Sequence, residues 1–217
     1  LKKMYGKASV NDSAEGTVIW ATRDGDRPRR RHEITVQARV AETDSIRFVT
    51  RPGVFMYGQL DQGSRALLEA VEIEGGDRIL DLGCAAGATG IVAARRAGTK
   101  GHVTFVDSNL RATALAEENA KANGLTDFRV LTTAKVDGLT HASFDVVLTN
   151  PPYYAVDSIT RLFVERSIIL LKPEGRLYLV TKQLDDVEPI VREWFGEPEL
   201  YESRGYIIVV ARRGGLR

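Results

Sequence analysis

The sequence predicts an α/β fold in which helices cover both faces of a mostly parallel sheet. From residue 78 onwards, apolar segments of strand length alternate with helical segments, which is typical of parallel sheets. Only Ser203, Arg204 and Gly205 separate the last two strands, which predicts an antiparallel hairpin at the end of the sheet. A loop of small residues at 83–87 follows the first strand, where open α/β sheets hold nucleotide-like ligands.

The first 57 residues are predicted to form a small β-rich appendage. Asp24-Gly25-Asp26 is typical of a turn, and the segment after it alternates apolar and polar side chains at the period of a strand. The predicted strands of the appendage occupy residues 16–22, 32–40 and 45–50. Because the appendage is too short for a large core of its own, we expect it to pack on the main domain, residues 58–217.

The main domain is predicted to begin with a helix at 60–71, whose apolar residues have helical spacing and whose N-terminus Asp61 can cap. The strands after it are predicted at 78–82, 102–106, 128–132, 144–149, 175–181, 200–202 and 206–211. The helices between them are predicted at 89–97, 110–123, 158–171 and 185–195. Apolar strands linked by helices predict a sheet that is buried on both faces.

The composition limits the classes of protein to which the chain can belong. Its 217 residues are 43% hydrophobic, enough for a substantial core, and no segment resembles a signal peptide or a membrane span. Cys84 is the only cysteine, which excludes an internal disulfide and indicates a cytoplasmic protein. The histidines, His32, His102 and His141, have no metal-ligand spacing with it, so we expect no metal.

The net charge of +1 says little about partners, but the charges are unevenly distributed. Residues 1–60 carry 11 Lys and Arg against 7 Asp and Glu. The excess centres on a cluster of four arginines that could bind RNA phosphates, namely Arg27, Arg29, Arg30 and Arg31. A solvated hairpin tip explains the cluster about equally well, so both interpretations stay open.

The loop after the first parallel strand is the centre of the predicted ligand site. Its glycines, Gly83 and Gly87, let a ligand approach the backbone closely. Asp81 comes just before the loop, where a carboxylate repels a pyrophosphate and suits a cationic ligand. At the end of the next strand, Asp107 can accept hydrogen bonds from both hydroxyls of a ribose or cap the helix that follows. The alternative for the loop is a tight turn without a ligand.

These positions resemble motif I and the second acidic position of the class I S-adenosylmethionine-dependent methyltransferases, over roughly residues 58–213. The resemblance implies a Rossmann-like sheet with an antiparallel last strand and S-adenosylmethionine as the cofactor. The implied cofactor-binding residues are Asp81, Gly83, Cys84, Ala85, Gly87, Asp107, Ser108, Thr133 and Asn150. After the third strand the chain lacks the carboxylate with which many relatives bind adenine, so Thr133, or less readily Asp137, is expected to contribute there.

A second motif, Asn150-Pro151-Pro152-Tyr153, follows the fourth strand. It resembles the motif of methyltransferases that modify a nitrogen conjugated to a π system. Such a nitrogen is a poor nucleophile, and the Asn150 oxygen and the Pro151 carbonyl can each accept one of its N–H groups. Tyr153, with Tyr154, can stack on an extruded base. The expected catalytic residues are therefore Asn150, Pro151 and Tyr153; the alternative is a proline turn with a packed tyrosine.

Residues 51–55 and the sequence Leu60-Asp61-x-Gly63-Ser64 resemble the segment before the fold in the "methyltransferase small" family. Its best-known members are ribosomal RNA guanine-N2 methyltransferases. The resemblance therefore implies methylation of ribosomal RNA, with residues 55–59 as a lid over the cofactor. The expected substrate-binding residues are Tyr153, Tyr154, Arg29, Arg30 and Arg31. The alternatives are adenine-N6 methylation of transfer RNA, glutamine methylation of a release factor, and a non-catalytic RNA-binding module of the same fold.

Overall fold

The computed structural model describes residues 7–14, 16–22, 32–40, 45–153 and 156–214. The chain divides into two compact units, Leu1–Arg31 and His32–Arg217. In the described part of the first unit, β1 (Ser9–Ser13) pairs antiparallel with β2 (Gly16–Trp20). The arginine cluster at 27–31 lies outside the described residues.

A second hairpin, formed by β3 (Ile34–Ala38) and β4 (Ile46–Thr50), belongs to the larger unit. The appendage of residues 1–57 and its boundary stay a prediction. The compact units divide after Arg31, which places this hairpin in the same unit as the main sheet. The physical reason is the apolar face of the hairpin. Phe48 on β4 is fully buried, and it belongs to the same core cluster as the helices of the main domain.

The main sheet has seven strands, and its topology confirms the predicted fold class. In chain order they are β5 (Arg78–Leu82), β6 (His102–Asp107), β7 (Phe128–Thr132), β8 (Phe144–Thr149), β9 (Leu171–Thr181), β10 (Glu199–Ser203) and β11 (Tyr206–Arg212). Their order across the sheet is β10-β11-β9-β8-β5-β6-β7. The strands from β5 to β9 pair in parallel, whereas β11 is antiparallel to both β9 and β10.

Five α-helices of the described part lie around this sheet. They are α1 (Gln62–Ala70), α2 (Ala88–Ala97), α3 (Leu110–Ala122), α4 (Arg161–Leu170) and α5 (Leu184–Phe195). As predicted, Asp61 caps α1, because its carboxylate accepts a hydrogen bond from the backbone N–H of Ser64 at 2.9 Å. Alternate residues of β5 enter two separate core clusters, with Ile79 in one and Leu80 in the other. The sheet is therefore buried on both faces, as the apolar strands predict.

Two asparagines, one in the last turn of α3 and one directly after it, pair with the free edge of β4. Asn119 accepts a hydrogen bond from the Val49 N–H at 2.7 Å and donates one to the Val49 carbonyl at 2.9 Å. One helical turn further on, Asn123 donates to the Arg47 carbonyl at 2.7 Å. Because residues 47 and 49 point their backbone groups in the same direction, the two side-chain amides act as a substitute strand. They attach the second hairpin to the main domain.

The turn between β10 and β11, residues 204–205, is fastened to α1. Arg204 forms two hydrogen bonds of 2.8 Å with the carboxylate of Glu69. Since β10 runs in the same direction as the parallel strands, this turn lies at their carboxyl edge.

Candidate active site

The site lies where the order of the strands reverses. The chain moves from β5 through β6 to β7 on one side and from β8 to β9 on the other, so a crevice opens beyond the carboxyl ends of β5 and β8. Leu82 and Thr149 are partners in the register of these two strands, and therefore Gly83 and Asn150 follow side by side. One cavity is lined by Phe55, Met56, Ser64, Leu67, Asp81, Gly83, Cys84, Ala85, Thr89 and Asn150.

The glycine loop has a left-handed backbone at every second residue. The φ angles of Gly83, Ala85 and Gly87 are 79°, 48° and 81°. The backbone N–H groups of Gly83 and Cys84 donate to the carbonyl of Val106, at 2.8 and 3.0 Å. This bond pattern ties the loop to the end of β6 and leaves its open side facing the cavity. The two glycines therefore stand where L side chains would strain the backbone.

Asp81 lies in the floor of the cavity and is only 3% exposed. Its Oδ2 atom accepts a hydrogen bond of 2.8 Å from the N–H of Gly90, in the first turn of α2. Burial raises the pKa of this carboxyl to about 7, and the negative charge of Asp107 adds to the rise. A Cβ atom at position 90 would lie 2.5 Å from the ring of Phe105 and 2.8 Å from Asp81 Oδ2. Gly90 was not among the predicted site residues. A glycine in the first turn of a predicted helix was the signal that could have indicated its close contact with Asp81.

Asp107 ends β6 and orders the backbone on either side of it. Its Oδ2 atom accepts from the Ala85 N–H at 3.0 Å, and its Oδ1 atom accepts from the Asn109 N–H at 2.8 Å. The cap of α3 is Asn109 instead, because its side chain accepts from the Arg111 N–H at 3.0 Å. Each carboxylate oxygen of Asp107 keeps a second lone pair for a ligand hydroxyl. Ser108, the next residue, is exposed.

The two candidates for adenine binding are bonded to each other. The hydroxyl of Thr133 donates to the carboxylate of Asp137, which lowers the pKa of that carboxyl. The backbone N–H of Thr133 donates to the Asp107 carbonyl at 3.0 Å, so the loop after β7 is held beside the end of β6. A contact from Thr133 to adenine stays a prediction.

Cys84 is buried within the glycine loop. Burial raises the pKa of its thiol well above the ordinary value, and the carboxylates of Asp81 and Asp107 raise it further. The thiol is therefore protonated at neutral pH, and Cys84 fills space in the loop without acting as a nucleophile.

Asn150 stands at the other wall of the cavity with its amide orientation fixed. Its Nδ2 atom donates to Asp61 Oδ2 at 2.9 Å and to Ser64 Oγ at 3.1 Å. Its oxygen, Oδ1, accepts no hydrogen bond from the residues that the structure describes and stays available to a ligand. Pro151 is buried directly behind it. The sequence predicted that Asp61 caps α1, but it did not predict that Asp61 and Ser64 contact Asn150. The family motif that contains both residues was the signal that could have indicated this contact.

Aromatic residues stand near Asn150, and a lysine lies against one of them. Tyr153 is 37% exposed, and burial together with the neighbouring Tyr206 and Asp61 raises the pKa of its hydroxyl. The Nζ atom of Lys182 lies 4.4 Å above the centre of the Tyr206 ring. These two residues, which the sequence analysis did not select, place a cation beside an aromatic surface. Tyr154 lies outside the described residues, as do Arg29, Arg30 and Arg31.

Two further classes of feature are absent from the described residues. No group of three or more His, Cys, Asp or Glu in this part of the chain could hold a metal ion. None of the helices described is long and apolar enough to cross a membrane.

Comparisons with known proteins agree with this geometry. The methyltransferase small domain, as a family, matches residues 45–210. Ribosomal RNA small subunit methyltransferase C of Hahella chejuensis is 32% identical over 192 residues, 84% of this chain and 55% of that protein. Protein YbxB of Bacillus subtilis is 31% identical over 174 residues, 76% of this chain and 85% of that protein.

Nearly the whole chain is similar to one solved structure, that of a 16S rRNA N2 methyltransferase of T. thermophilus. That protein was solved in complex with AdoMet and guanosine. The TM-score is 0.83 at 25% identity, and the match covers 98% of this chain and 59% of that one. The chain thus spans somewhat more than half the length of this protein and of the Hahella protein.

Proposed function

Because the chain belongs to the family of the methyltransferase small domain, we propose that it transfers a methyl group from S-adenosylmethionine to an exocyclic amine of an RNA base, the N2 amine of guanine in ribosomal RNA. The observation that carries this proposal is the position of Asn150. Its amide shares one cavity with Asp81 and Gly83, at the crevice between β5 and β8.

The residues on the β5 side fit the methyl donor. The Asp81 carboxylate, buried without a basic partner among the described residues, would pair with the ammonium group of the donor. Asp107 would accept hydrogen bonds from the ribose hydroxyls, and the glycine loop leaves room for close approach. Phe55 and Met56 cover the cavity from the segment before α1. When bound, S-adenosylmethionine supplies a methyl group on a positively charged sulfonium.

The residues on the β8 side would hold the amine. Asn150 Oδ1 and the carbonyl of Pro151 each accept one N–H, which turns the lone pair of the nitrogen towards the methyl group. Positive charge that develops on the nitrogen is stabilised by these fixed dipoles, so a strong general base is not required. The exposed ring of Tyr153 provides a surface on which the extruded base can stack.

The choice of ribosomal RNA rests on the relatives. The Hahella protein is named for the ribosomal small subunit, and the T. thermophilus protein was solved with guanosine. Lys182 adds a cation beside the aromatic ring of Tyr206, which suits RNA better than a peptide. We include two further statements in the same proposal. The protein is cytoplasmic, and the arginines at 27–31 contact RNA.

The test is methyl transfer from labelled donor to four substrates side by side: small ribosomal subunits, naked small-subunit RNA, transfer RNA and release factor. We expect label in ribosomal RNA, recovered as N2-methylguanosine after digestion. Asn150→Ala should bind the donor as tightly as the wild type and lose about 100-fold or more in kcat. Label in adenine or in glutamine would replace the proposed substrate, and full turnover by Asn150→Ala would remove Asn150 from the mechanism.

A further inference from the structure

We propose that Asp61 and Ser64 are positioning residues for the reaction, which fix the amide of Asn150 so that its oxygen faces the amine of the substrate. This inference rests on the proposed function, since it assigns Asn150 the amine. It gives the sequence Leu60-Asp61-x-Gly63-Ser64 a role beyond starting a helix.

The contacts come from residues that are far apart in the chain. Asp61 is 89 residues from Asn150 and Ser64 is 86 residues from it, yet both accept a hydrogen bond from the same Nδ2 atom. Ser64 is 2% exposed, and the Asp61–Asn150 bond is partly buried. The two hydrogens of the side-chain NH₂ group are thereby both used. The first turn of α1 thus forms a socket for one side of the amide.

The socket accepts the amide in one orientation only. If the amide were reversed, its oxygen would face the carboxylate of Asp61, and two acceptors would repel each other at 2.9 Å. The repulsion would be stronger than in bulk water because the contact is partly buried. The amide oxygen is therefore directed away from α1, where Asn150 lines the cavity.

The charge of Asp61 also strengthens the amide oxygen as an acceptor. A carboxylate bonded to the NH₂ group polarises the amide, so more negative charge resides on Oδ1. That oxygen contacts the nitrogen on which positive charge develops during transfer. Asp61 would then act on the reaction through Asn150, without touching the substrate itself.

Gly63 lies very close to the other residues of the socket. A Cβ atom at position 63 would lie 3.0 Å from Asp61 Oδ2, 3.3 Å from Asn150 Nδ2 and 3.0 Å from the ring of Tyr206. Its backbone has ordinary helical geometry, so the absence of a side chain serves the contact with these three neighbours. Asp61, Gly63 and Ser64 therefore converge on the side chain of Asn150.

The test separates this role from the capping role of Asp61. Asp61→Ser keeps a good helix cap but is too short to reach Asn150, whereas Asp61→Asn keeps both the cap and an acceptor. We expect Asp61→Ser to lower kcat about 10- to 100-fold with little change in the KM of the donor, and Asp61→Asn to restore most of the loss. Ser64→Ala, which leaves the capped backbone N–H in place, should show a smaller loss in kcat.

A double-mutant cycle makes the result decisive. In the background of Asn150→Ala, Asp61→Ser should cost nothing further, because the group through which it acts is gone. An equal loss in both backgrounds, or an unchanged kcat in Asp61→Ser, would overturn the proposal. The melting temperature of each variant shows whether a loss in kcat comes from unfolding.

A second measurement tests the proposal without catalytic turnover of a substrate. The side-chain NH₂ signals of Asn150 in an NMR spectrum should exchange slowly with water in the wild type and faster in Asp61→Ser. Unchanged exchange would overturn the inference even if the protein is a methyltransferase. Conversely, a wild-type protein that methylates none of the four substrates would refute the proposed function, while the exchange result would still report on the socket.

Discussion

Asp81 is an acid whose surroundings keep a large fraction of it protonated near pH 7. Its carboxyl is almost fully buried, has one backbone donor in Gly90 and lies near the like charge of Asp107. In the free protein the pKa of about 7 lies above that of an unfolded aspartate, so this group favours folding at low pH and loses that contribution as the pH rises towards 7. A cation bound beside it reverses the balance, because it favours the ionised form.

We therefore expect the affinity for S-adenosylmethionine to increase with pH from about 5.5 to 7.5, by at most about tenfold per unit. Above that range the α-amino group of the donor itself loses its proton, near pH 7.7–8.0. Asp81→Asn, which keeps an acceptor for Gly90, should bind weakly and without this slope. Calorimetry in buffers of different ionisation enthalpy measures both the affinity and the proton released.

Asp107→Ala is the matched control for the same ligand. It should weaken binding through the ribose while the pH slope stays, because Asp81 is still present. Equal slopes in the wild type and in Asp81→Asn would show that Asp81 does not pair with the ammonium group.

At the scale of the elements, α3 connects the second hairpin to the glycine loop. Asn119 is fully buried; besides its two bonds to Val49, it donates to the carbonyl of Ala86 at 2.8 Å. A single side chain thus holds an edge strand and the loop of the donor site in one arrangement. Arg51, after β4, adds ion pairs to Glu33 and to Glu118 of α3 at the surface.

We expect Asn119→Ala to lower the free energy of unfolding by about 1–3 kcal/mol, because it leaves buried backbone groups of Val49 and Ala86 without partners. The amide of Val49 should then exchange faster with solvent than in the wild type. Lys121→Ala, on the exposed face of the same helix, should change stability by less than about 0.5 kcal/mol. Chemical denaturation with hydrogen exchange measures both, and equal stabilities of the two variants would contradict this role of Asn119.

The elements show where sequence reasoning succeeds and where it ends. Residues 78–82 and 110–122 were predicted nearly to their ends, because periodicity and capping are local properties of the chain. The sequence predicted that the appendage packs on the main domain, but it did not predict the contacts that attach β4, since these join the Asn119 amide to a residue 70 positions away. The division of the chain after Arg31 could likewise not be predicted from composition.

At the scale of the whole molecule, the two edges of the main sheet have different roles. These are the edges at the carboxyl and the amino ends of the parallel strands. β8 reaches both edges, since Asn150 follows its carboxyl end and Asp145 lies near its amino end. Asp145 accepts from the Arg78 N–H at 2.9 Å and from Lys172 Nζ at 2.7 Å, and thereby joins β5, β8 and β9. The ligand cavity lies at the opposite edge. Stability and chemistry should therefore be separable along one strand.

Asp145→Ala should lower the free energy of unfolding by about 1–2 kcal/mol while donor affinity and kcat stay close to those of the wild type. Asn150→Ala should have the opposite balance, with turnover lost and a loss of stability of about 1 kcal/mol from its two hydrogen bonds. Thermal denaturation and single-turnover methylation measure both properties. A loss of turnover in Asp145→Ala at a temperature where it is fully folded would show that the two edges are coupled.

The candidate site was predicted in outline because its motifs are continuous in the chain. Asp81 and the glycine loop follow one strand and Asn150 follows another, so topology alone brings them together. The partners that orient Asn150 could not be inferred in this way, because the distance between Asp61 and Asn150 becomes short only when α1 packs at the sheet edge. Tyr206 and Lys182 were missed for the same reason.

The turn at residues 204–205 is a position where the fold can accept insertions. It joins the only reversed strand of the main sheet to its neighbour, and Arg204 clips it to α1 through Glu69. Extra residues inserted there would extend from the edge of the sheet at which the crevice opens. They would leave the pairing of β10, β11 and β9 intact. A longer loop at this one turn could therefore add contacts to a substrate at the crevice, while the strands and the residues proposed to hold the methyl donor stay unchanged.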